Sequence, residues 1–254
     1  MSIILPVRWV PEPSNPDLSA GFEINIINCM IRNLYRMGTG DMQKYNLSIS
    51  ESVEESRNLV ANIYYCDIQE GYSAIFGGHS GVQTPQLDII SVAYEGVRWT
   101  YLSSPTYVTN DKQKAALPNA SFGTSQYTTD SYPIPTDNVL TVGNDTETYS
   151  TVWAAYQAAS DGDNIVISSN GSPYTENNFN NGVGQIDKSV SFWGATQNPA
   201  DVVLQMTTSG SSFFYYKLKS RPEAWWGHVP GVYHLTIQTN PGGIWSSPFR
   251  AINQ

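Results

Sequence analysis

Aromatic side chains form the densest group of chemically capable residues in this sequence, between positions 213 and 245. Sugar rings carry C–H faces that stack on aromatic rings, so an exposed subset of these side chains would bind a glycan. The alternative, which we favour, is that the segment from 213 to 231 folds against the rest of its own chain or against a second subunit and buries the rings at that interface. The residues predicted for interface or glycan stacking are Tyr215, Trp225, Trp226 and Trp245.

Carboxylates are the next candidates, because glycoside hydrolysis uses two of them about 5 to 10 Å apart. Glu176, Asp187, Asp201 and Glu223 lie in the same part of the chain. The residues at 187 and 201 precede predicted strands, so turn or edge roles explain them more simply than catalysis. We therefore predict no catalytic residue.

Histidines and cysteines do not form a predicted metal site or cofactor site. His79 lies in a glycine-rich turn whose spacing matches neither a phosphate-binding loop nor a nucleophile elbow, and neither His228 nor His234 has neighbours at metal-ligand spacing. Cys29 and Cys66 are interpreted as buried free thiols, with one disulfide between them as the alternative.

Composition limits the classes of protein. The chain has 254 residues, 40% of them apolar, which is enough for a folded core. Only 14% are charged, while Ser, Thr, Asn, Gly and 16 Tyr are abundant, a balance typical of β-rich proteins. The net charge of −9 and the lack of a basic run argue against nucleic-acid binding. No stretch is long and apolar enough for a signal or a membrane span, so no membrane insertion is expected.

The first half of the chain is predicted to contain an extended arm and a small domain. Four prolines exclude regular helix from residues 1–18, and Trp9 and Val10 are expected to dock on a surface. A helix is predicted from Ser19 to Met37 by apolar spacings of three and four. Alternating segments follow at 44–50, 59–66, 71–76, 88–94 and 98–102, which predicts an α+β domain over 19–107 and a connector over 108–141.

The last part of the chain, residues 142–254, has an ordered series of elements. An Ala-rich helix over 148–159 precedes a Gly-Asp turn, a strand at 164–168 and the loop 171–177, with the sequence Gly-Ser-Pro-Tyr-Thr-Glu-Asn. Further strands are predicted at 188–194, 201–205, 232–238 and 249–252. This order resembles the opening of the right-handed parallel β-helix in pectinesterases and in many phage tailspikes. The fold class expected is mainly β: a small α+β domain followed by the start of such a β-helix.

The resemblance concerns fold more than activity. The pectinesterase family places its first catalytic Gln in a segment where this sequence has Arg250, which puts esterase chemistry in doubt. Solenoids need stacked repeats and end caps, and no polar cap follows the last strand. We therefore expect the 254 residues to be the N-terminal part of a longer polypeptide, with a short helix covered by a partner chain as the alternative.

The resemblance to tailspikes and tail fibres implies a virion structural protein. Its residues 1 to about 107 would attach to a tail, baseplate or capsid protein, and its β-helix would project towards host-surface polysaccharide, usually as a homotrimer. Residues predicted for virion anchoring are Trp9, Val10, Pro11, Ile27 and Ile31. Two alternatives stay open: a polysaccharide depolymerase or esterase whose active site lies beyond this chain, and a capsid decoration or head-fibre protein.

Overall fold

The computed structural model describes twelve segments of the chain, and every structural statement below refers to them. They are residues 22–32, 45–51, 59–69, 73–77, 86–90, 92–94, 97–99, 132–176, 186–206, 213–218, 229–238 and 249–253. The segments consist mostly of short strands, which confirms the prediction of a mainly β protein. The arm over 1–18 and most of the connector over 108–141 lie outside the described residues.

Strands before residue 100 are β1 to β9. Their bounds are Phe22–Ile27, Met30–Arg32, Tyr45–Glu51, Leu59–Tyr64, Asp67–Gln69, Ser73–Gly77, Gln86–Ile90, Val92–Tyr94 and Val97–Trp99. Most of the segments predicted here as strands are confirmed. The predicted helix from Ser19 to Met37 is wrong over the residues described, because β1 and β2 occupy 22–32. Ile24, Ile26, Cys29 and Ile31 are buried as strand residues.

Strands after residue 132 are β10 to β18. Their bounds are Val139–Val142, Asn164–Ile167, Tyr174–Thr175, Ser191–Gly194, Val203–Gln205, Phe214–Leu218, Gly231–Tyr233, Thr236–Gln238 and Phe249–Asn253. The predicted strand at 232–238 is broken in two, because His234 has a left-handed backbone with φ of 57°.

Three sheets contain the described strands. The first has the order β10-β11-β13-β16-β1-β4-β7, the second β12-β14-β17-β2-β5-β8-β9, and the third β15-β18-β3-β6. All neighbouring pairs are parallel except β8 and β9, which are antiparallel. In each sheet, strands from before residue 100 lie beside strands from after residue 200. Strand pairing therefore crosses the predicted boundary between the domain over 19–107 and the region over 142–254.

The core is continuous across this boundary. Side chains from both parts of the chain belong to one buried cluster, including Ile26, Ile63, Phe192 and Val232. These four occupy equivalent positions on β1, β4, β13 and β16, since the register aligns Phe192 with Val232, Val232 with Ile26 and Ile26 with Ile63. Alternate residues of a strand point to opposite faces, so one face of the first sheet supplies the core.

Helix α1, Val152–Ala158, confirms the Ala-rich helix predicted over 148–159 and packs near β10 and β11. Thr151 caps its N-terminus by accepting a hydrogen bond from the Ala154 amide. Lys188 Nζ donates to three carbonyl oxygens at its C-terminus, those of Tyr156, Gln157 and Ala159. These contacts join the helix to the segment that leads into β13. No helix in the described parts is long and apolar enough to cross a membrane.

Candidate binding surface

A second group of aromatic side chains lies on the opposite face of the first sheet from the core. The register aligns Val166, Trp193, Tyr233, Ile27 and Tyr64 across five consecutive strands. We call this set the outward column. The rings of Trp193 and Tyr233 stack almost perfectly parallel, with centroids 3.7 Å apart and an interplanar angle of 3°. Strand alternation explains the position, because the core residues Phe192 and Val232 are their immediate neighbours in sequence.

Polar side chains fix the orientation of the two stacked rings. Trp193 Nε1 donates to Asn164 Oδ1 at 3.0 Å, and Asn25 Nδ2 donates to the Tyr233 hydroxyl at 2.9 Å. Each asparagine lies on a neighbouring strand, so the bonds run across the sheet. A half-buried aromatic ring whose polar atom is bonded keeps a single orientation.

The segment 132–138 crosses this column on its outer side. The ring of Tyr132 lies 6.4 Å from that of Tyr233, and the Tyr132 carbonyl oxygen lies 2.7 Å from His234 Nε2. At the other end, Asn164 binds the carbonyl oxygens of Asp137 and Asn138. This segment, which we call the crossing segment, therefore passes from beside β16 to beside β11 before β10 begins.

Three of the turns between the first and second sheets share one backbone conformation. Asn28, Tyr65 and His234 each have φ between 50° and 57°, and each follows the last residue of a strand in the first sheet. L-residues other than glycine rarely adopt this left-handed region, although Asn and His do so more readily than most. Backbone amides of the turns donate hydrogen bonds to the end of the neighbouring strand: His234 N donates to Ile27 O, and Asn28 N donates to Tyr64 O.

His234 is fully buried, and its hydrogen bonds define its protonation. Nε2 faces the Tyr132 carbonyl, which can only accept, so Nε2 carries the proton. Nδ1 then accepts from Asn28 Nδ2 at 2.9 Å, and the same amide group also donates to Gln197 O. Burial lowers the pKa of His234, and the bond to the Tyr132 carbonyl opposes only part of this effect. The ring is therefore a neutral bridge between Asn28 and the crossing segment.

Glycine at position 194 makes room for this turn. A Cβ atom at Gly194 would lie 2.0 Å from the backbone oxygen of His234, a distance that no side chain permits. The close approach holds the end of β13 against the His234 turn, beside the stacked rings. Trp193 lies 5.7 Å from the His234 ring, measured between ring centroids.

Exposure separates the members of this aromatic group. Tyr233 and Tyr64 are buried, whereas Trp193, Tyr65 and Tyr132 are partly exposed. The accessible part is thus an aromatic surface with hydrogen-bonding groups at its margin, a combination suited to a ligand that is apolar on one face and hydroxylated at its edges.

The carboxylates considered in the sequence have structural partners where they are described. Glu176 accepts from the amides of Val152 and Trp153 at 2.6 and 2.9 Å, at the start of α1. Burial raises its pKa, and those two bonds oppose the shift. Asp187 accepts from the Tyr156 hydroxyl, and Asp201 accepts from Asn198 Nδ2. Glu223 lies outside the described residues.

The residues predicted for anchoring and for glycan or subunit contact are only partly described. Ile31 is fully buried in the core, and Ile27 is buried in the outward column between Tyr233 and Tyr64. Tyr215 lies on β15, where the structure describes its backbone but not its side chain. The others also lie outside the described residues: Trp9, Val10, Pro11, Trp225, Trp226 and Trp245. The sequence reasoning missed Trp193 and Tyr132 as members of the outward aromatic group.

The described part of the chain thus defines a class: a mainly β protein of parallel sheets with an aromatic surface outside its core. A scan of protein-family models matches none of them, and searches of curated proteins and of solved structures also give no match.

Proposed function

We propose that the three sheets are the faces of a right-handed parallel β-helix. The support is the repeated path of the chain: β1-β2-β3, β4-β5-β6 and β16-β17-β18 each visit the first, second and third sheet in that order. The turns Asn28–Cys29, Tyr65–Cys66 and His234–Leu235 occur at the same place in each passage. Parallel strands joined through other sheets, with equivalent turns stacked in register, are what a solenoid of coils requires.

On this scaffold we propose a tailspike-like virion protein that recognises host-surface polysaccharide through the outward column. The observation that carries the proposal is the Trp193–Tyr233 stack. It lies outside the core, and Trp193 remains partly exposed. A pyranose ring would place its C–H face on the indole, and its hydroxyls would reach the polar groups around Asn164.

Attachment to the particle is proposed for the N-terminal arm over residues 1–18, with Trp9 filling an apolar groove of a tail, baseplate or capsid protein. A homotrimer would place three copies of the aromatic surface on one projection, which strengthens binding to a repeating polymer through multivalency. Deletion of residues 1–18 tests this part. The truncated chain is expected to fold but to be absent from purified particles by mass spectrometry, and normal incorporation would contradict the anchoring role.

The glycan proposal is tested by replacing Trp193 and measuring binding to immobilised capsular and lipopolysaccharide O-chain polysaccharides by surface plasmon resonance. Trp193→Ala is expected to weaken the strongest interaction about tenfold, equivalent to about 1.4 kcal/mol, through loss of the stacking face. Val203→Ala is the control, since Val203 is a partly exposed residue of β14 in the second sheet, outside the outward column. Its affinity is expected to equal that of the wild type.

Fold retention is checked by far-ultraviolet circular dichroism for both variants. The proposal fails if Trp193→Ala keeps wild-type affinity while both variants remain folded. It also fails if no polysaccharide in the panel binds the wild-type chain.

A further inference from the structure

One boundary in the three sheets joins strands that are far apart in the chain. The set β16, β17 and β18 pairs with the set β1, β2 and β3, one pair in each sheet. We call this boundary the seam. Contacts across it link residues about 200 positions apart, as in the bond between Asn25 and Tyr233, which are separated by 208 positions. The two sets are neighbours in the sheets but are not consecutive in the chain, so no short loop connects them.

Backbone and side-chain hydrogen bonds nevertheless cross the seam. Amides of Asn25, Met30 and His234 donate across it to the carbonyl oxygens of Pro230, Leu235 and Ile27. The Asn28–His234 bond and the bond from Cys29 Sγ to Val232 O add buried polar contacts. Gly231 allows close approach here, because a Cβ at that position would lie 2.4 Å from Asn25 O.

A sequence repeat explains why the two sets fit. Residues 26–32 read Ile-Ile-Asn-Cys-Met-Ile-Arg, 63–69 read Ile-Tyr-Tyr-Cys-Asp-Ile-Gln, and 232–238 read Val-Tyr-His-Leu-Thr-Ile-Gln. Apolar residues recur at the first, fourth and sixth positions, and the left-handed residue is always the third. The edge formed by β16 to β18 therefore accepts β1 to β3 as readily as β1 to β3 accept β4 to β6.

The connection between the two parts of the chain is long. Residues 100–131 separate β9 from the crossing segment, and 32 residues reach about 100 Å when fully extended. The path within one molecule leads from the β7 side of the first sheet towards β10, which is six strand spacings or about 29 Å. The connection is thus long enough to let residues 22–99 reach a neighbouring molecule.

We propose that the seam is also an intermolecular interface, at which β1 to β3 of one copy pair with β16 to β18 of a second copy. This inference depends on the pairing of strands at the seam and is independent of glycan binding. The donor and acceptor edges are different surfaces, so the contact is heterologous and leads to rings or to open chains of molecules. The intramolecular seam dominates in dilute solution, because its two halves belong to one chain, whereas the intermolecular seam depends on the protein concentration.

The test uses two full-length variants, and each carries a cysteine at one of two residues that are in register across the seam. Arg32 and Gln238 are register partners across the seam, and both are partly exposed. The chains Arg32→Cys and Gln238→Cys are unfolded together, refolded together at high protein concentration and treated with a short bis-maleimide. We expect a covalent dimer in denaturing gels that contains one chain of each kind, with a yield that rises as the refolding concentration is raised.

Controls separate this exchange from other association. The double variant Arg32→Cys/Gln238→Cys reports the seam within one chain by a crosslinked monomer. Each single variant refolded with wild type reports background from Cys29 and Cys66, which are buried. Adding Gly231→Ala to the Gln238→Cys chain is expected to reduce the mixed dimer several-fold, because the new Cβ meets Asn25 O across the seam.

A crosslinked monomer from the double variant without a mixed dimer at any concentration overturns the proposal. If neither the crosslinked monomer nor the mixed dimer forms, a second register pair, Ser48→Cys and Arg250→Cys, is tested in the same way. The same negative result for this pair overturns the seam itself. The second pair lies in the third sheet and guards against local damage by the first substitutions.

Discussion

Phe192 and Trp193 are consecutive residues of one strand, yet their surroundings differ. Phe192 is fully buried and lies 4.6 Å from Phe214 and 6.5 Å from Tyr156, in tilted contacts that fill the core. Trp193 lies on the other face, stacks flat on Tyr233 and is partly exposed. The comparison shows that aromatic content alone does not predict a binding surface. The face of the strand on which a ring lies decides between a packing role and a recognition role.

The largest effect is expected inside the core. Phe192→Ala removes a fully buried ring that contacts the rings of Tyr156, Phe214 and Tyr216. We expect the free energy of unfolding to fall by about 3 to 5 kcal/mol, measured by urea denaturation at constant m-value.

Trp193→Ala is the comparison variant for this experiment, since it removes a larger ring from the outer face of the same strand. Its loss of stability is expected to be clearly smaller than that of Phe192→Ala. Equal losses would mean that the two faces are packed alike, and the distinction between them would fail.

A smaller effect is expected from acid, through His234. Its pKa is lowered in the folded state, so the unfolded chain binds this proton more readily once the pH falls below the ordinary histidine value of about 6.5. The contribution of His234 to stability is therefore complete above that pH and is lost as the pH falls towards the folded-state pKa. Protonation of Nδ1 would also set two donors, Nδ1 and Asn28 Nδ2, against each other.

His234→Asn is the control, because asparagine tolerates the left-handed backbone and does not titrate. The stability of this variant, from urea denaturation between pH 7 and 5, is expected to change less with pH than that of the wild type. A wild-type slope retained in His234→Asn would assign the pH dependence to other groups.

The smallest effect is expected at the crossing segment. Tyr132→Ala removes a ring at 6.4 Å from Tyr233 but keeps the backbone carbonyl that binds His234. We expect a loss of about 1 kcal/mol or less by urea denaturation, within the range of an aromatic pair on a surface. Tyr132→Phe keeps the ring and should lose less stability than Tyr132→Ala. A loss as large as that of Trp193→Ala would make the crossing segment part of the packed structure.

Much of the strand content could be predicted from the sequence, because alternating apolar residues mark strands such as β4, and glycines at 162 and 171 bound β11. The predicted helix at 19–37 failed because Phe22, Ile26 and Met30 satisfy helical spacing while Ile24 and Ile26 satisfy alternation, so two periods fit one segment. Alternation prevailed because β16 and β4 flank β1 and bind its backbone on both sides.

Strand order was beyond the local patterns, since parallel pairing is determined by contacts between distant segments. The signal that could have revealed it is the repeat shared by 26–32, 63–69 and 232–238. The same repeat places Tyr233 and Tyr64 on the outer face. Trp193 and Tyr132 were missed because the face occupied by Trp193 follows from its register with Tyr233, and Tyr132 lies in a segment that reads as connector.

The left-handed turns have a consequence for variation in this protein. Asn, Tyr and His occupy the same backbone position at successive levels, although their side chains differ in size, charge and hydrogen bonding. Backbone bonds between levels hold the turn, so the identity of the third repeat residue is largely independent of the path of the chain. Neighbouring levels are about 4.8 Å apart. The turns thus form a row of evenly spaced positions at which the side chain can change while the path of the backbone stays the same.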